Sequence, residues 1–159
     1  MKKFARFLTC AILCAAVASC GDDGGTNDDD DDDDGGNLLT ASIDGVAFNA
    51  SLAVQGSYTS NVLSFGGVTA NARGVFIAIP NITATGTFDL GPTRQPVLTV
   101  NIGSQAWVTT SVGGSGTVTV SSLSATRATG SFSFIAAPAT GSGAVGTKTV
   151  TNGVFDVTF

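Results

Sequence analysis

The amino-acid sequence predicts an all-β, mainly antiparallel β-sandwich over residues 37–159, with a closed β-barrel as the alternative. Three observations carry this. The segment is rich in Thr, Ser, Val, Gly and Ala, contains no glutamate and has few Lys or Leu, a composition that suits pleated, half-buried surfaces and turns. Apolar and hydroxylated residues alternate with a period of two in Thr117-Val118-Thr119-Val120, Ser131-Phe132-Ser133-Phe134 and Phe155-Asp156-Val157-Thr158-Phe159. Turn residues recur at short intervals, and no stretch carries an apolar period of 3.6 long enough for a crossover helix.

Taken in order, strands are expected at Leu38 to Ile43 and Val46 to Ala50, joined by Asp44-Gly45, a strong two-residue hairpin signal. Leu52 to Tyr58 and Val62 to Thr69 follow, separated at Ser60-Asn61, then Gly74 to Ile79 and Thr85 to Leu90. Gly91-Pro92 precedes Val97 to Ile102 and Gln105 to Thr110, and Gly113-Gly114-Ser115-Gly116 leads into the first alternating run. Gly141-Ser142-Gly143 separates the last two strands. A glycine followed two residues later by phenylalanine recurs at Gly74-Val75-Phe76, Gly86-Thr87-Phe88, Gly130-Ser131-Phe132 and Gly153-Val154-Phe155. Its irregular spacing excludes a solenoid repeat; the expectation is a glycine at the start of a strand with its phenylalanine between the sheets.

The first nineteen residues have the order of a secretory signal: Lys2, Lys3 and Arg6, an apolar run from Phe7 to Val17, then small residues before a cysteine. That run falls short of the roughly 20 apolar residues needed to cross a bilayer. Val17-Ala18-Ser19-Cys20 resembles the lipobox of bacterial lipoproteins at all four positions. The resemblance implies cleavage before Cys20, a diacylglyceryl thioether on its sulfur and acylation of the new amino group. An ordinary signal peptide cut near Ala18 is the alternative. Cys10 and Cys14 lie inside the signal, so Cys20 alone remains after cleavage and no intrachain disulfide can form.

Residues 20–36 read as the lipidated N-terminus and a disordered Asp/Gly linker, with seven consecutive aspartates from Asp28 to Asp34. The sixteen residues 21–36 reach about 20 to 25 Å, enough to hold a domain clear of headgroups. Calcium binding is the other reading of an aspartate run, but the fixed ligand positions and sharp turn of a calcium loop are missing. Asp22-Asp23 close behind Cys20 resembles the acidic signal that sends some Gram-negative lipoproteins to the outer leaflet of the outer membrane. Outer-membrane anchoring, with exposure at the cell surface, is the expected location.

Nine of the twelve aspartates lie in residues 22–34. Residues 37–159 keep Asp44, Asp89 and Asp156 against Arg73, Arg94, Arg127 and Lys148, so the domain is almost neutral and has no basic face for nucleic acid. The stretches SGTVTVSSLSATRATGSFSFIA and KTVTNGVFDVTF resemble the closing strands of small β-rich lipoproteins of the Gram-negative envelope. That resemblance implies architecture and carries no activity.

The chain contains no histidine, no glutamate and no thiol beyond Cys20 after cleavage, which removes the Ser-His and Cys-His pairings and the usual zinc sets. Glycoside hydrolysis needs two carboxyl groups at a set separation. Of the three available, Asp44 begins a hairpin turn, while Asp89 and Asp156 follow phenylalanines and are expected to point outward. Lys148 has no SxxK partner. No catalytic group, cofactor or metal is therefore expected.

Two functions remain: a structural or interaction module of the envelope, and a carbohydrate-binding module. For the second the candidate residues are Trp107 and Tyr58 with Gln105, Thr109 and Arg94. Strand parity puts Trp107 on one face with Gln105 and Thr109, which suggests an outward ring, whereas a single Trp in a sandwich more often fills the core. Tyr58 shares a face with Leu52 and Val54 and belongs at the edge of the core.

Overall fold

The structure is a computed structural model that describes residues 37–159. The signal, Cys20 and the acidic linker lie outside the described residues. Eleven strands follow one another: β1 (Leu38–Ile43), β2 (Val46–Asn49), β3 (Leu52–Thr59), β4 (Val62–Val68), β5 (Arg73–Ile79), β6 (Gly86–Leu90), β7 (Val97–Ile102), β8 (Gln105–Val108), β9 (Ser115–Leu123), β10 (Arg127–Pro138) and β11 (Lys148–Thr158). Each strand expected from the sequence is present, with ends displaced by a residue or two and with β9, β10 and β11 longer than their alternating cores.

Local chemistry sets the hairpins. Asp44 (φ 52°) and Gly45 (φ 80°) both occupy the left-handed region, as a two-residue type I′ turn requires between β1 and β2. Ser60 (φ 51°) and Asn61 (φ 62°) do the same between β3 and β4.

Every strand pairing is antiparallel, and the strands join in one curled sheet, a half-barrel, in the order β2-β1-β11-β10-β8-β7-β5-β4-β3, with β9 and β6 continuing from β10. The sheet has two lobes. β10 belongs to both: Ala128–Ile135 pairs with β9, while Ala137 and Pro138 pair with β8. The lobes thus face each other across a core as in a sandwich, yet stay hydrogen-bonded through one strand as in a barrel.

Inward residues form one apolar cluster that includes Leu39, Phe48, Leu63, Ile77, Leu98, Trp107, Val118, Phe132 and Val157. Phe65 of β4 stacks on Phe155 of β11 with ring centroids 4.2 Å apart, joining the lobes at the centre. Between the lobes, Asn37 Nδ2 donates to the Val54 carbonyl of β3 (3.0 Å), and Asn37 Oδ1 accepts from the Thr158 N–H of β11 (2.7 Å). One side chain thereby ties an end strand to the middle of the opposite lobe.

The glycine-phenylalanine motif departs from its expectation. Phe132 and Phe155 enter the core, but Phe88 is half-buried and Phe76 lies on the outside. Gly130 and Gly153 sit within strands and not at their starts. Register gives the reason: Gly130 lies opposite Phe155, and Phe132 lies opposite Gly153. A Cβ on Gly130 would stand 2.6 Å from the Phe155 ring, and one on Gly153 would collide with the Phe132 ring. Each phenylalanine fills the space left by the glycine on the neighbouring strand.

Candidate functional site

β8 carries Gln105 and Trp107, with Thr109 just past its end; the parity of the three is as expected, but the shared face is the inner one. Trp107 is 2% exposed and Thr109 fully buried. The outward ring suggested by the polar neighbours is therefore corrected. Their polar groups are used internally: Thr109 Oγ1 accepts the Leu98 N–H (3.1 Å), and Gln105 Nε2 donates to the Gly143 carbonyl (3.0 Å). Trp107 Nε1 donates to the Gly146 carbonyl (3.0 Å), so the β10–β11 loop is fastened over the indole. Lys148 Nζ stands 5.1 Å from the ring centroid, within cation–π range, while bonding Asp44 Oδ2 at 2.8 Å.

Tyr58 borders the core as expected. Its hydroxyl donates to the Ile82 carbonyl (2.9 Å), and its ring centroid lies 6.0 Å from that of Phe159. Arg94 is exposed in the β6–β7 loop. Trp107, Gln105 and Thr109 are thus assembled as a packing unit, and no open platform forms around the tryptophan.

The carboxylates also serve the fold. Asp156 takes Arg127 Nε and Nη2 at 2.7 and 2.6 Å, a bidentate pair that lowers its pKa first through these hydrogen bonds, against a smaller opposing effect of desolvation. For Asp44 desolvation is the largest single effect and raises the pKa. The hydrogen bonds from Lys148 and the Thr149 N–H, with the charges of Lys148 and Arg73, outweigh it together and leave the pKa lowered. Asp89 is exposed on β6. Among the described residues, no three His, Cys, Asp or Glu side chains gather as a metal site.

A concavity of about 440 Å³ lies elsewhere, on the outer face of β3, β4, β5 and β7. Two rows of paired residues make its floor. One runs Ser57, Ser64, Ala78, Val97 and the next Gln55, Gly66, Phe76, Thr99, each side chain opposite the following one. Phe76 is 41% exposed. Beyond it a second hollow of about 390 Å³ continues past Gly74 and Asn101, so one ring borders both. None of the residues lining either hollow is ionisable. Parity would have placed Phe76 outward had the glycine motif not suggested a core role for all four phenylalanines.

No protein-family model, curated protein or solved structure matches the chain.

Proposed function

We propose that the chain is a lipid-anchored, non-catalytic interaction module of the bacterial cell envelope, tethered through Cys20 and meeting its partner on the outer face of β3, β4, β5 and β7. The observation that carries this reading is the neutral double hollow divided by an exposed Phe76. Sites that hold ligands are concave, with an aromatic or apolar floor and a few polar groups that orient what binds. The commitment of Asp44 and Asp156 to ion pairs within the fold also supports a role without acid-base chemistry, since neither carboxylate is left to act on a ligand in the hollow.

Val17-Ala18-Ser19-Cys20 supports the anchor, and Asp22-Asp23 supports passage to the outer membrane and its surface. Two acyl chains are enough for stable attachment, since each buried methylene contributes about 0.8 kcal/mol. The acidic segment then acts as a spacer.

The test has two parts. Cells fed a clickable palmitate analogue label the wild-type chain and not Cys20→Ala, which fractionates as a soluble exported protein; equal labelling of both would refute the anchor. A photo-crosslinking residue at Ser57 captures an envelope component, whereas one at Ser131, on the outer face of β10, does not. Equal capture from both positions would remove the assignment of this face.

A further inference from the structure

We infer that the groove on β3, β4, β5 and β7 is a subsite for a neutral polysaccharide, with the Phe76 ring as its stacking platform; this rests on the reading of that face as the contact surface. The ring's attitude is the first argument. A Cβ on Gly66 would lie 2.5 Å from Phe76 Cδ1, and one on Gly74 would lie 2.8 Å from Cε2. Opposite edges of the ring therefore occupy the places of two missing side chains. The ring lies down over the sheet and turns its other face to solvent. A pyranose has one face of C–H groups and a rim of hydroxyls, and the C–H face is attracted to the negative face of an aromatic ring.

The polar lining is the second argument. Gln55, Ser57, Ser64 and Thr99 border the hollow, and among the described residues none of their side chains makes a hydrogen bond to protein. Two hydroxyls and an amide on one side of Phe76 and a hydroxyl on the other side supply both donors and acceptors, as the rim of a sugar requires. Charge is the third. The lining has no ionisable side chain, so nothing compensates the desolvation of a charged polymer, whereas an uncharged one carries no such penalty. A protein partner would want a contiguous apolar patch, and Phe76 is the only large apolar side chain in the lining that is itself exposed. The second hollow past Gly74 and Asn101 gives a chain of sugars room to continue beyond the ring.

Native gels cast with a neutral galactomannan, xyloglucan or mixed-linkage β-glucan, and with polygalacturonate as the acidic control, test this on the full chain carrying Cys20→Ala. Retardation by at least one neutral polymer and none by polygalacturonate is expected. Phe76→Ala weakens that retardation at least tenfold. Gly74→Ala keeps the phenylalanine but lifts its ring, and weakens it several-fold. Ser131→Ala leaves it unchanged. Trp107, buried beneath the β10–β11 loop, reports the fold of each variant through an unchanged emission maximum. Retardation that survives Phe76→Ala in a folded variant, equal retardation by polygalacturonate, or none by any neutral polymer would overturn the inference. If the gels fail while Ser57 still captures an envelope component, the contact face stands and the glycan falls; if both fail, both readings fall.

Discussion

Trp107 lies two residues from Gln105 and two from Thr109, and all three use their polar groups inside the protein. Alternation told which residues share a face, but the direction of that face depended on what the β10–β11 loop offered, and Gly143 and Gly146 are about forty residues away in sequence. The polarity of Gln105 and Thr109 therefore pointed the wrong way. The consequence is measurable: emission from Trp107 is expected to be blue-shifted and resistant to iodide, and Trp107→Ala should cost about 3 to 5 kcal/mol in urea unfolding. Red-shifted, quenchable emission would contradict this packing. Asp156 makes a second prediction at this scale. Its pKa is lowered in the fold, so the Arg127 pair stabilises fully above the ordinary carboxylate range and is lost as pH falls through the depressed value. The urea midpoint should be level through neutral pH and fall below about pH 4, with a shallower fall in Asp156→Asn. An unchanged acid limb in that variant would show that the pair contributes nothing to pH dependence.

Strands were the legible elements. Hydroxyl and apolar alternation, with Asp44-Gly45 and Ser60-Asn61 as turns, is a local signal, and local signals survive folding when register, core and turn agree. What alternation cannot show is which strand lies beside which, because pairing is decided by complementarity between distant segments. The glycine-phenylalanine motif illustrates this: it looked like a device within one strand and is a device between two. Gly130-Ser131-Phe132 and Gly153-Val154-Phe155 run antiparallel, so each ring covers the other's glycine. Adding a methyl at Gly153 would force the Phe132 ring aside, at about 1 to 3 kcal/mol. Trimming the obstacle should recover much of that: in a double-mutant cycle, Gly153→Ala is expected to cost clearly less on a Phe132→Leu background than alone. Additive costs would mean that the ring and the glycine do not compete for one space. The same relation, placed on the outer face, is what lays Phe76 over Gly66, so one packing habit serves the core in one lobe and the candidate site in the other.

At the scale of the whole molecule, the first strand and the last are neighbours. Leu38 pairs with Asp156, and β11 lies between β1 and β10, so the β1–β2 hairpin joins the sheet only through the final strand. β10 in turn passes from one lobe to the other. Such connectivity puts the most distant parts of the sequence side by side and predicts that the two lobes unfold as one cooperative unit. Removal of residues 148–159 tests this. It would take away Val150, Phe155 and Val157 from the core, the stacking partner of Phe65, and the pairing edge of both β1 and β10. If the lobes were independent, β3, β4, β5 and β7 would stay folded with the groove intact, and Trp107 would remain protected on β8. The continuous sheet gives the opposite expectation: the truncated chain loses its β circular dichroism, its Trp107 emission shifts to that of solvent, and any binding proposed for the Phe76 groove disappears with the rest. A folded remnant with protected Trp107 would show that β10 joins two separable lobes. Complete loss would mean that a contact surface on one lobe depends on the strand that closes the other, because Phe65 under the groove is held in place by Phe155 from β11.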